Sequence, residues 1–352
     1  MAPPADLTRD EFLAWRTPRL GTANPERLTN PVWTWLVREP INAWAANKAF
    51  DGPSSFGGTP CWCNTRFGQS KTTLPDGRAI LIGGEHEDYY DPDFFIYNDV
   101  IVTDANGAVD IFGYPRDVFG PTDFHSATLA GDRIIVVGCL GHANQRVPGT
   151  TPVYALALGD LSIARLEPTG DAPGWIHKHT AELDGETLIV RGGMRDDGER
   201  LLENFDDWAL DLRALCWTRR TARPWAIWQL ARADGERNRL FEIGGYVSYP
   251  PGRDKAIERI GYTPDIALFE TRYAPPMPHV VQAPPDDDDD AWRTHRIEVS
   301  GVIVRYVEES FHVAITIEGV LAEAVTEVLI DDARRKLSAV ERTEYVARRI
   351  AP

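Results

Sequence analysis

Side chains that bind metals or transfer protons concentrate in one stretch of this 352-residue chain. Imidazoles and thiolates suit zinc, copper or iron, and a carboxylate beside an imidazole suits acid–base catalysis. Five of the eight histidines fall within residues 86–179, and they are His86, His125, His142, His177 and His179. Two cysteines, Cys61 and Cys63, precede them with one residue between. The stretch therefore raises the hypothesis of a metal site or an acid–base site.

Three interpretations of these residues are open. The chain has no ordered ligand motif such as CxxC…CxxC, but a coordination set for Cu, Fe or Zn could consist of Cys61, Cys63, His86, His125 and His177. A metal-free site could instead pair a histidine with Glu87 or Asp88. In the third interpretation the histidines are structural and hydrogen-bond to the backbone, as expected for His125. His177 and His179 are one residue apart, so an extended strand sends both to the same side.

The positions of these side chains depend on a repeat in the surrounding sequence. Four apolar runs end in a glycine pair or its equivalent: AILIGG, IIVVGC, LIVRGG and LFEIGG. The second residues of those pairs, at 84, 139, 193 and 245, are separated by 55, 54 and 52 residues. A polar loop and a further β-like segment follow each pair. A period near 50 with four short strands per unit indicates radial repetition.

The repeat resembles the kelch motif of galactose-oxidase-like β-propellers. HSATLAGDRIIVVG, residues 125–138, matches the kelch order of polar start, strand, turn, apolar strand and glycine. The resemblance covers about residues 60–282 and implies a mainly β fold, a kelch-type propeller of about four recognisable blades. It also implies that the loop after each second strand and the segment entering each first strand share one face. The ligand spacings of metal-bearing kelch enzymes have no clear counterpart here, so their activities are not implied.

Polar side chains from several repeats are expected to converge on that face. The expected ligand-binding residues are Glu85, His86, Glu87, Asp88, Tyr90, Asp91, His125, His142, His177 and His179. Aromatic side chains beside charges, as in EHEDYYDPDFF, are typical of recognition surfaces. The leading hypothesis is therefore a module that binds a protein or a small polar ligand. The alternative is a metal-dependent enzyme, of oxidoreductase or lyase type, that uses the cysteine and histidine residues.

The repeats are flanked by segments of different character. Residues 1–57 are rich in tryptophan and predicted to be helical, with a helix start at Asn30–Pro31. The propeller is assigned to residues 58–283, and the acidic run PPDDDDDAW predicts a solvated linker over 284–292. Residues 293–352 predict a small βββα appendage. One face of its helix is expected to contain Leu321, Val325, Val328, Leu329 and Leu337.

The overall composition limits the classes of partner. The chain has 53 acidic and 37 basic residues, a formal net charge of −16. This charge disfavours nucleic acid and anionic membranes as partners. No run approaches the roughly 20 apolar residues of a membrane span, and the N-terminus lacks a signal-peptide pattern. Four cysteines are too few for a disulfide scaffold, so a cytoplasmic protein is expected.

Overall fold

The computed structural model describes residues 7–39, 41–54, 59–86, 91–278, 280–284 and 293–351. The chain forms two compact units, unit 1 (Met1–Ala222) and unit 2 (Arg223–Pro352). Strands account for 33% of the residues and helices for 21%, so the chain is mainly β, as the sequence predicted. None of the described helices has the length and the apolar character needed to cross a membrane.

Unit 1 begins with three short helices: α1 (Arg9–Trp15), α2 (Pro31–Arg38) and α3 (Ala43–Ala49). Each begins after a residue whose side chain accepts a hydrogen bond from the first-turn backbone, and these caps are Thr8, Asn30 and Asn42. The first helical position of α2 is Pro31, whose missing N–H would have no partner there. The helix start expected at Asn30–Pro31 is therefore confirmed.

The three helices bury an aromatic cluster. Trp33 of α2 stacks on Trp62 with ring centroids 5.1 Å apart, and Phe12 of α1 stacks on Phe50 at 4.5 Å. Burying each of these side chains contributes roughly 1.5–3 kcal/mol. The packing therefore fixes residues 61–63 against the helices.

The remainder of unit 1 is built from short strands. In chain order they are β1 (Glu26–Arg27), β2 (Ser70–Thr73), β3 (Ala79–Ile82), β4 (Glu85–His86), β5 (Phe95–Ile96), β6 (Val100–Thr103), β7 (Val109–Gly113), β8 (Ser126–Ala130), β9 (Arg133–Val137), β10 (Val153–Ala157), β11 (Ile163–Leu166), β12 (Thr169–Gly170), β13 (Trp175–His177), β14 (Thr180–Asp184), β15 (Thr187–Arg191), β16 (Met194–Asp196), β17 (Leu201–Glu203), β18 (Trp208–Asp211) and β19 (Cys216–Arg219).

These strands form three sheets with the same internal order. The sheets are β1-β7-β6-β3-β2, β11-β10-β9-β8 and β12-β19-β18-β15-β14. Each contains four antiparallel strands that follow one another across the sheet, so β2, β8 and β14 each form one edge. We call these sheets the first, second and third meander. The short strands β4-β5 and β13-β16-β17 pair separately within the connections.

The apolar run of a second strand is buried on both of its faces. In β9, Ile134 and Val136 belong to the core shared with the first meander. Ile135 and Val137 belong to the core shared with the third meander. Successive side chains of a strand point to opposite faces, so a strand between two sheets is apolar throughout. This explains why IIVV, residues 134–137, is a continuous apolar run rather than an alternating one.

The glycine after the second strand of the first and second meanders permits a close approach to the neighbouring meander. A Cβ at Gly83 would lie 2.2 Å from the Thr122 carbonyl oxygen, and one at Gly138 would lie 2.1 Å from the Ile176 carbonyl oxygen. Both glycines also have positive φ, +57° and +69°. A side chain at either position would clash with backbone, so glycine is required there.

Unit 2, in its described residues, combines one sheet with four helices. Its elements are β20 (Ala226–Arg232), α4 (Leu240–Ser248), a 3₁₀ turn (Pro250–Gly252), α5 (Arg253–Ile260), α6 (Ile266–Glu270), β21 (Val280–Gln282), β22 (Thr294–Val299), β23 (Val302–Glu308), β24 (His312–Glu318), α7 (Glu323–Glu341) and β25 (Tyr345–Ala351). The sheet order is β21-β22-β23-β24-β20-β25, and all pairs are antiparallel. The helices and one face of this sheet form a single core.

The prediction of a fourth repeat is wrong. LFEIGG lies in helix α4, and the segment expected as its next strand contains helix α6. Leu240, Ile243 and Tyr246 of α4 are buried at a spacing of three residues, which is a helical and not a strand period. Strand β21 joins the sheet of unit 2. Residues 223–283 therefore belong with 293–351, and the domain predicted to span 58–283 ends at Ala222.

The C-terminal prediction is confirmed in outline. Strands β22, β23 and β24 and helix α7 form the expected βββα order, and β20, β21 and β25 extend the sheet. Leu329 and Leu337 are buried on the helix as predicted, whereas Val328 is 46% exposed. Most of the acidic run predicted as a linker, residues 285–292, lies outside the described part of the chain.

Candidate functional site

The connections at one end of the three meanders contact one another in sequence. The ring of Phe94, after β3, meets the ring of His142, after β9, edge to face at 5.7 Å. Arg146 in the same connection as His142 pairs with Asp196, after β15, at 3.2 Å. We call this surface the loop face, and its described segments are residues 62–69, 83–86, 91–99, 119–125, 138–152, 171–179 and 192–207.

The segments that enter the first strands are joined by backbone hydrogen bonds. The Phe124 N–H donates to the Gly68 carbonyl, and the Lys178 N–H donates to the Phe124 carbonyl, both at 2.8 Å. All three residues have positive φ, between 48° and 61°. This conformation is uncommon for residues other than glycine, so the surrounding structure must hold Phe124 and Lys178 in it. The loop face is therefore built on a repeated backbone arrangement.

His125 and His179 occupy equivalent structural positions. The His125 Nε2 hydrogen-bonds to the Ser70 hydroxyl at 2.7 Å, and the His179 Nε2 to the Ser126 hydroxyl at 2.9 Å. Each histidine thereby links the edge strand of its own meander to that of the preceding one. Burial lowers the pKa of His125 to about 4 and that of His179 to about 3, so both rings are neutral at pH 7. The structural role expected for His125 fits this geometry, but the expected backbone partner is wrong, since the ring bonds to the side-chain hydroxyls of Ser70 and Thr122.

His86 is also buried and hydrogen-bonded within the protein. Its Nδ1 lies 2.7 Å from the Tyr97 hydroxyl, and that hydroxyl accepts a hydrogen bond from the Cys63 N–H at 3.2 Å. Burial, helped by the nearby Arg66 guanidinium, lowers the pKa of His86 to about 4. Arg66 itself has a fully buried side chain that pairs with Asp99 at 2.5 Å. This part of the loop face is a packed polar network.

Cys61 and Cys63 belong to the hydrophobic core beneath the N-terminal helices. Both are about 1% exposed, and their thiols approach the backbone carbonyls of Trp62 and Thr65. Burial raises the pKa of the Cys61 thiol to about 12, so it stays protonated. A metal ligand must be a thiolate, which this environment disfavours.

The structure does not assemble the predicted metal set. All five predicted ligands lie among the described residues, and no group of three or more His, Cys, Asp or Glu in that part of the chain could hold a metal ion. The reason is that the side chains are used elsewhere: Cys61 and Cys63 pack in a core, and His125 bonds to Ser70. His86 bonds to Tyr97.

His177 differs from the other buried histidines of unit 1. It is 3% exposed, and neither of its ring nitrogens has a hydrogen-bond partner among the described residues. Burial lowers its pKa to about 4, and the nearby charges of Lys178 and Arg146 act in the same direction. A neutral imidazole can donate one hydrogen bond and accept another. In His177 neither the donor nor the acceptor nitrogen is used by another described residue. The ring lies close to the Arg146–Asp196 ion pair.

A buried carboxyl group lies between the first and second meanders. Asp123 is fully buried, and its carboxylate accepts a hydrogen bond from the Gly141 N–H at 2.7 Å. Burial raises its pKa, while the Gly141 hydrogen bond, Glu85 and the charges of His142 and Arg146 oppose the rise. The half-buried Glu85 and His142 thus lie where the sequence predicted them, near the centre of the loop face.

The other predicted residues lie in the first connection. Asp91 is half-buried, and its carbonyl accepts a hydrogen bond from the Phe94 N–H. Glu87, Asp88 and Tyr90 fall within residues 87–90, outside the described residues.

The sequence did not single out three exposed apolar side chains on the loop face. Phe67 is 66% exposed, Val147 53% and Leu201 38%, and each comes from the connections of a different meander. Phe67 and Val147 are isolated apolar residues in polar segments, and Leu201 has only Leu202 beside it; single exposed apolar residues normally need no explanation. Only the convergence of the three connections makes them a shared feature.

Comparisons with known proteins add little to this geometry. No family model matches the chain, and no curated protein does. Among solved structures it is similar to one titled "Structure of YjhT", with a TM-score of 0.28 and 11% identity. The similarity covers 45% of this chain and 72% of that chain. At this TM-score it supports no argument about fold or function.

Proposed function

We propose that unit 1 is a kelch-type propeller element whose three meanders are its blades. The supporting observations are the shared strand order and the stacking of neighbouring meanders face to face. The hydrogen bonds of His125 and His179 between successive edge strands repeat once per meander. Stacking of such units buries faces that one sheet alone would leave exposed.

On this scaffold we propose a binding module that recognises a partner protein, or a small polar ligand, on the loop face. The observation that carries the proposal is the presence of Phe67, Val147 and Leu201 on segments that contact one another, because Phe67 bonds to Glu85 through the backbone, Phe94 meets His142, and Arg146 pairs with Asp196. Exposed apolar groups among charges are typical of protein interfaces. The rigid sheets beneath these connections provide the fixed geometry that recognition needs.

The loop-face histidines fit a binding role better than a catalytic one. His86, His125 and His179 hydrogen-bond to side chains within the protein, and their pKa values of about 4 or below leave them poor bases at pH 7. His177 has no such partner among the described residues, but its ring nitrogens are buried, so the structure assigns it no catalytic contact either.

The test compares two matched double variants in pull-downs from an extract of the source cells. Phe67→Ser/Val147→Ser changes the loop face, and Phe311→Ser/Val320→Ser changes the same residue types in unit 2, 60% and 73% exposed. The loop-face variant is expected to lose the bound partner, and the unit 2 variant to retain it. Equal retention, or equal loss, in both variants would contradict the proposal.

A further inference from the structure

Strand β25 forms one edge of the unit 2 sheet. It pairs with β20 on one side, and no described strand pairs with its other side. The Ala233 N–H donates to the Glu344 carbonyl, so the backbone of every second residue from 344 onward faces β20. The N–H and C=O groups of Ala347 and Arg349 therefore point away from the sheet, where an added strand could pair with them.

An open cavity of about 530 Å³ lies on the outer side of this edge. Its walls come from the end of α7 and from the connection to β25, and they include Arg334, Ser338, Ala339, Arg342 and Thr343. The Tyr345 N–H faces away from β20 and donates to the hydroxyl of the wall residue Ser338 at 2.9 Å. The cavity therefore opens beside the first residue of β25, and helix α7 and the strand edge form two sides of one groove.

Three arginines of this groove have no acidic partner among the described residues. Arg342, Arg348 and Arg349 are all exposed. Arg342 donates to the Thr263 carbonyl and lies over the Tyr262 ring. Arg348 and Arg349 have no hydrogen bond or ion pair from their side chains within the described part of the chain. Their charges are therefore available to a partner.

The other charged residues near the cavity do not reverse this sign. Arg334 and Arg335 pair with Asp331 at 2.6 and 3.0 Å, so they add no free charge. Glu344 is the one acidic residue in the segment 342–351, which contains three arginines. The free charge along the groove is therefore positive.

We infer that this groove binds an extended, acidic segment of a partner protein, which adds to the sheet alongside β25. The inference is separate from the binding proposed for the loop face. Backbone hydrogen bonds to Ala347 and Arg349 would supply the pairing, and carboxylates opposite Arg348 and Arg349 would supply selectivity. Val346 is 45% exposed on the same face as Arg348, so an apolar side chain fits the adjacent position of the added strand.

A second copy of the chain fits this edge poorly. Antiparallel pairing of two β25 strands over their full length, Tyr345–Ala351, places Arg348 opposite Arg348. Like charges directly opposite each other destabilise a strand pair, and charges on an edge discourage self-association. The arginines that attract an acidic strand therefore repel a second β25.

The experiment selects peptides from a random phage-displayed library, with the full chain as target. The selected peptides are expected to be rich in Asp and Glu, with β-branched or aromatic residues between them. Their affinity, measured by fluorescence anisotropy on labelled synthetic copies, should fall as NaCl is raised, because salt screens exposed charges.

Backbone N-methylation of the peptide tests strand addition directly. Alternate residues of an added strand face β25, and the others face solvent. Methylating the N–H groups of one alternating set should abolish binding, whereas methylating the other set should leave most of it. Binding by charge alone predicts equal effects of the two sets.

Charge-reversal variants locate the binding. Arg348→Glu/Arg349→Glu should weaken the selected peptides about tenfold or more. Arg213→Glu/Arg220→Glu is the matched control, because both arginines are exposed in unit 1 and the net charge changes equally. The control should change the affinity less than about twofold, since surface charges away from a contact act weakly.

A second pair of variants separates the backbone contact from the charge. Arg349→Gln and Arg349→Pro both remove the guanidinium, but only proline also removes the outward N–H, and an edge strand tolerates proline there. Arg349→Pro should therefore weaken the peptides about threefold or more relative to Arg349→Gln. Circular dichroism checks that both variants fold, and the N-methylated peptides answer the same question if the proline variant does not.

The remaining outcomes overturn the inference. Neutral or basic peptides, or acidic peptides unaffected by Arg348→Glu/Arg349→Glu, would contradict an acidic partner. Equal effects of the two methylated sets would contradict strand addition. A dimer in sedimentation velocity that Arg348→Glu/Arg349→Glu abolishes would replace the partner segment with a second copy. The loop-face variant Phe67→Ser/Val147→Ser should leave this binding unchanged, so this inference and the proposed function can fail independently.

Discussion

The two units use antiparallel strands in different ways. Unit 1 divides its strands among three meanders, and a strand such as β9 is buried on both faces by the neighbouring meanders. Unit 2 has one six-stranded sheet, and helices cover one face of it. The similar runs IIVVGC and LFEIGG accordingly form different secondary structures: the first belongs to strand β9 of unit 1, and the second to helix α4 of unit 2. An apolar run followed by glycine therefore predicts that the segment is buried. The elements that pack against it decide whether it forms a strand or a helix.

The difference extends to how each unit holds a buried charge. In unit 1 the fully buried Arg66 has Asp99 as its counter-ion, with both guanidinium Nη atoms bonded to that carboxylate. In unit 2 the buried Glu341 accepts hydrogen bonds from Tyr345, the Arg239 N–H and Arg232. Arg66 also donates to the Cys63 and Gly83 carbonyls, so the units differ in the ion pair itself: Arg66 pairs with Asp99, whereas Arg232 is shared by Asp234 and Glu341. Removing one carboxylate leaves a charge buried without a counter-ion in the first case and with a second counter-ion in the other.

The largest expected effect tests this contrast. Asp99→Ala should lower the free energy of unfolding by about 3–5 kcal/mol, because it leaves the Arg66 charge buried without its counter-ion. Glu341→Gln should cost about 1–3 kcal/mol, since Arg232 keeps Asp234 as a partner. Urea denaturation measures both. If Glu341→Gln proved the more damaging change, the contrast between the units would not hold.

The next prediction concerns two glycines at the same position of the sequence pattern. Gly193 has φ +78°, and a Cβ there would lie 2.4 Å from the His177 carbonyl oxygen. Gly193→Ala should destabilise unit 1 by about 2–4 kcal/mol. Gly245 lies in helix α4, where an added Cβ would meet nothing within 4 Å, so Gly245→Ala should stabilise unit 2 by about 0.5–1 kcal/mol. Denaturation curves should show opposite signs, and a destabilising Gly245→Ala would argue that 245 is not a free helical position.

Buried histidines should make the stability of unit 1 depend on pH. In the folded state the pKa of His125 is about 4 and that of His179 about 3, both below the ordinary value of 6.5. Protonation therefore favours the unfolded chain: this stability is complete above pH 6.5 and is lost as pH falls toward 4. Between pH 7 and pH 5 each histidine should cost unit 1 about 2 kcal/mol.

One substitution isolates this contribution. His125→Gln places at position 125 the residue type that the first meander has at the corresponding position, Gln69. Glutamine does not titrate, so the difference in unfolding free energy between pH 7 and pH 5 should shrink by about 2 kcal/mol in the variant. An unchanged pH dependence would mean that His125 is accessible to protons in the folded protein.

The sequence predicted the first three repeats because their information is local. Each has an apolar run, an obligatory glycine and polar turns at a fixed period, and these features suffice to identify the strands of a meander. The prediction of a fourth repeat failed because two patterns overlap there. LFEIGG matches the pattern of an apolar run followed by glycines, while Leu240, Ile243 and Tyr246 match a helical spacing. Six residues are too few to decide between the two periods.

The site was predicted less completely than the fold. The repeat predicted that Glu85 and His142 share one surface, and both act on Asp123, because connections at the same end of neighbouring sheets meet. It could not show that Cys61 and Cys63 turn into a core, since that depends on Trp33 and the helices that pack there. Nor could it reveal which isolated apolar residues remain exposed, because exposure is a property of the assembled surface.

The smallest expected effects concern helix starts, which differ between α3 of unit 1 and α7 of unit 2. Helix α3 is capped by the Asn42 side chain, whereas α7 begins after Ala322, whose side chain cannot accept a hydrogen bond. Asn42→Ala should lower the free energy of unfolding by about 1 kcal/mol. Ala322→Asn should raise it by about 0.5–1 kcal/mol, because φ −58° and ψ 142° at position 322 already suit a capping residue. Thermal denaturation resolves shifts of this size, and a neutral Ala322→Asn would mean that the first turn of α7 already satisfies its N–H groups by other means.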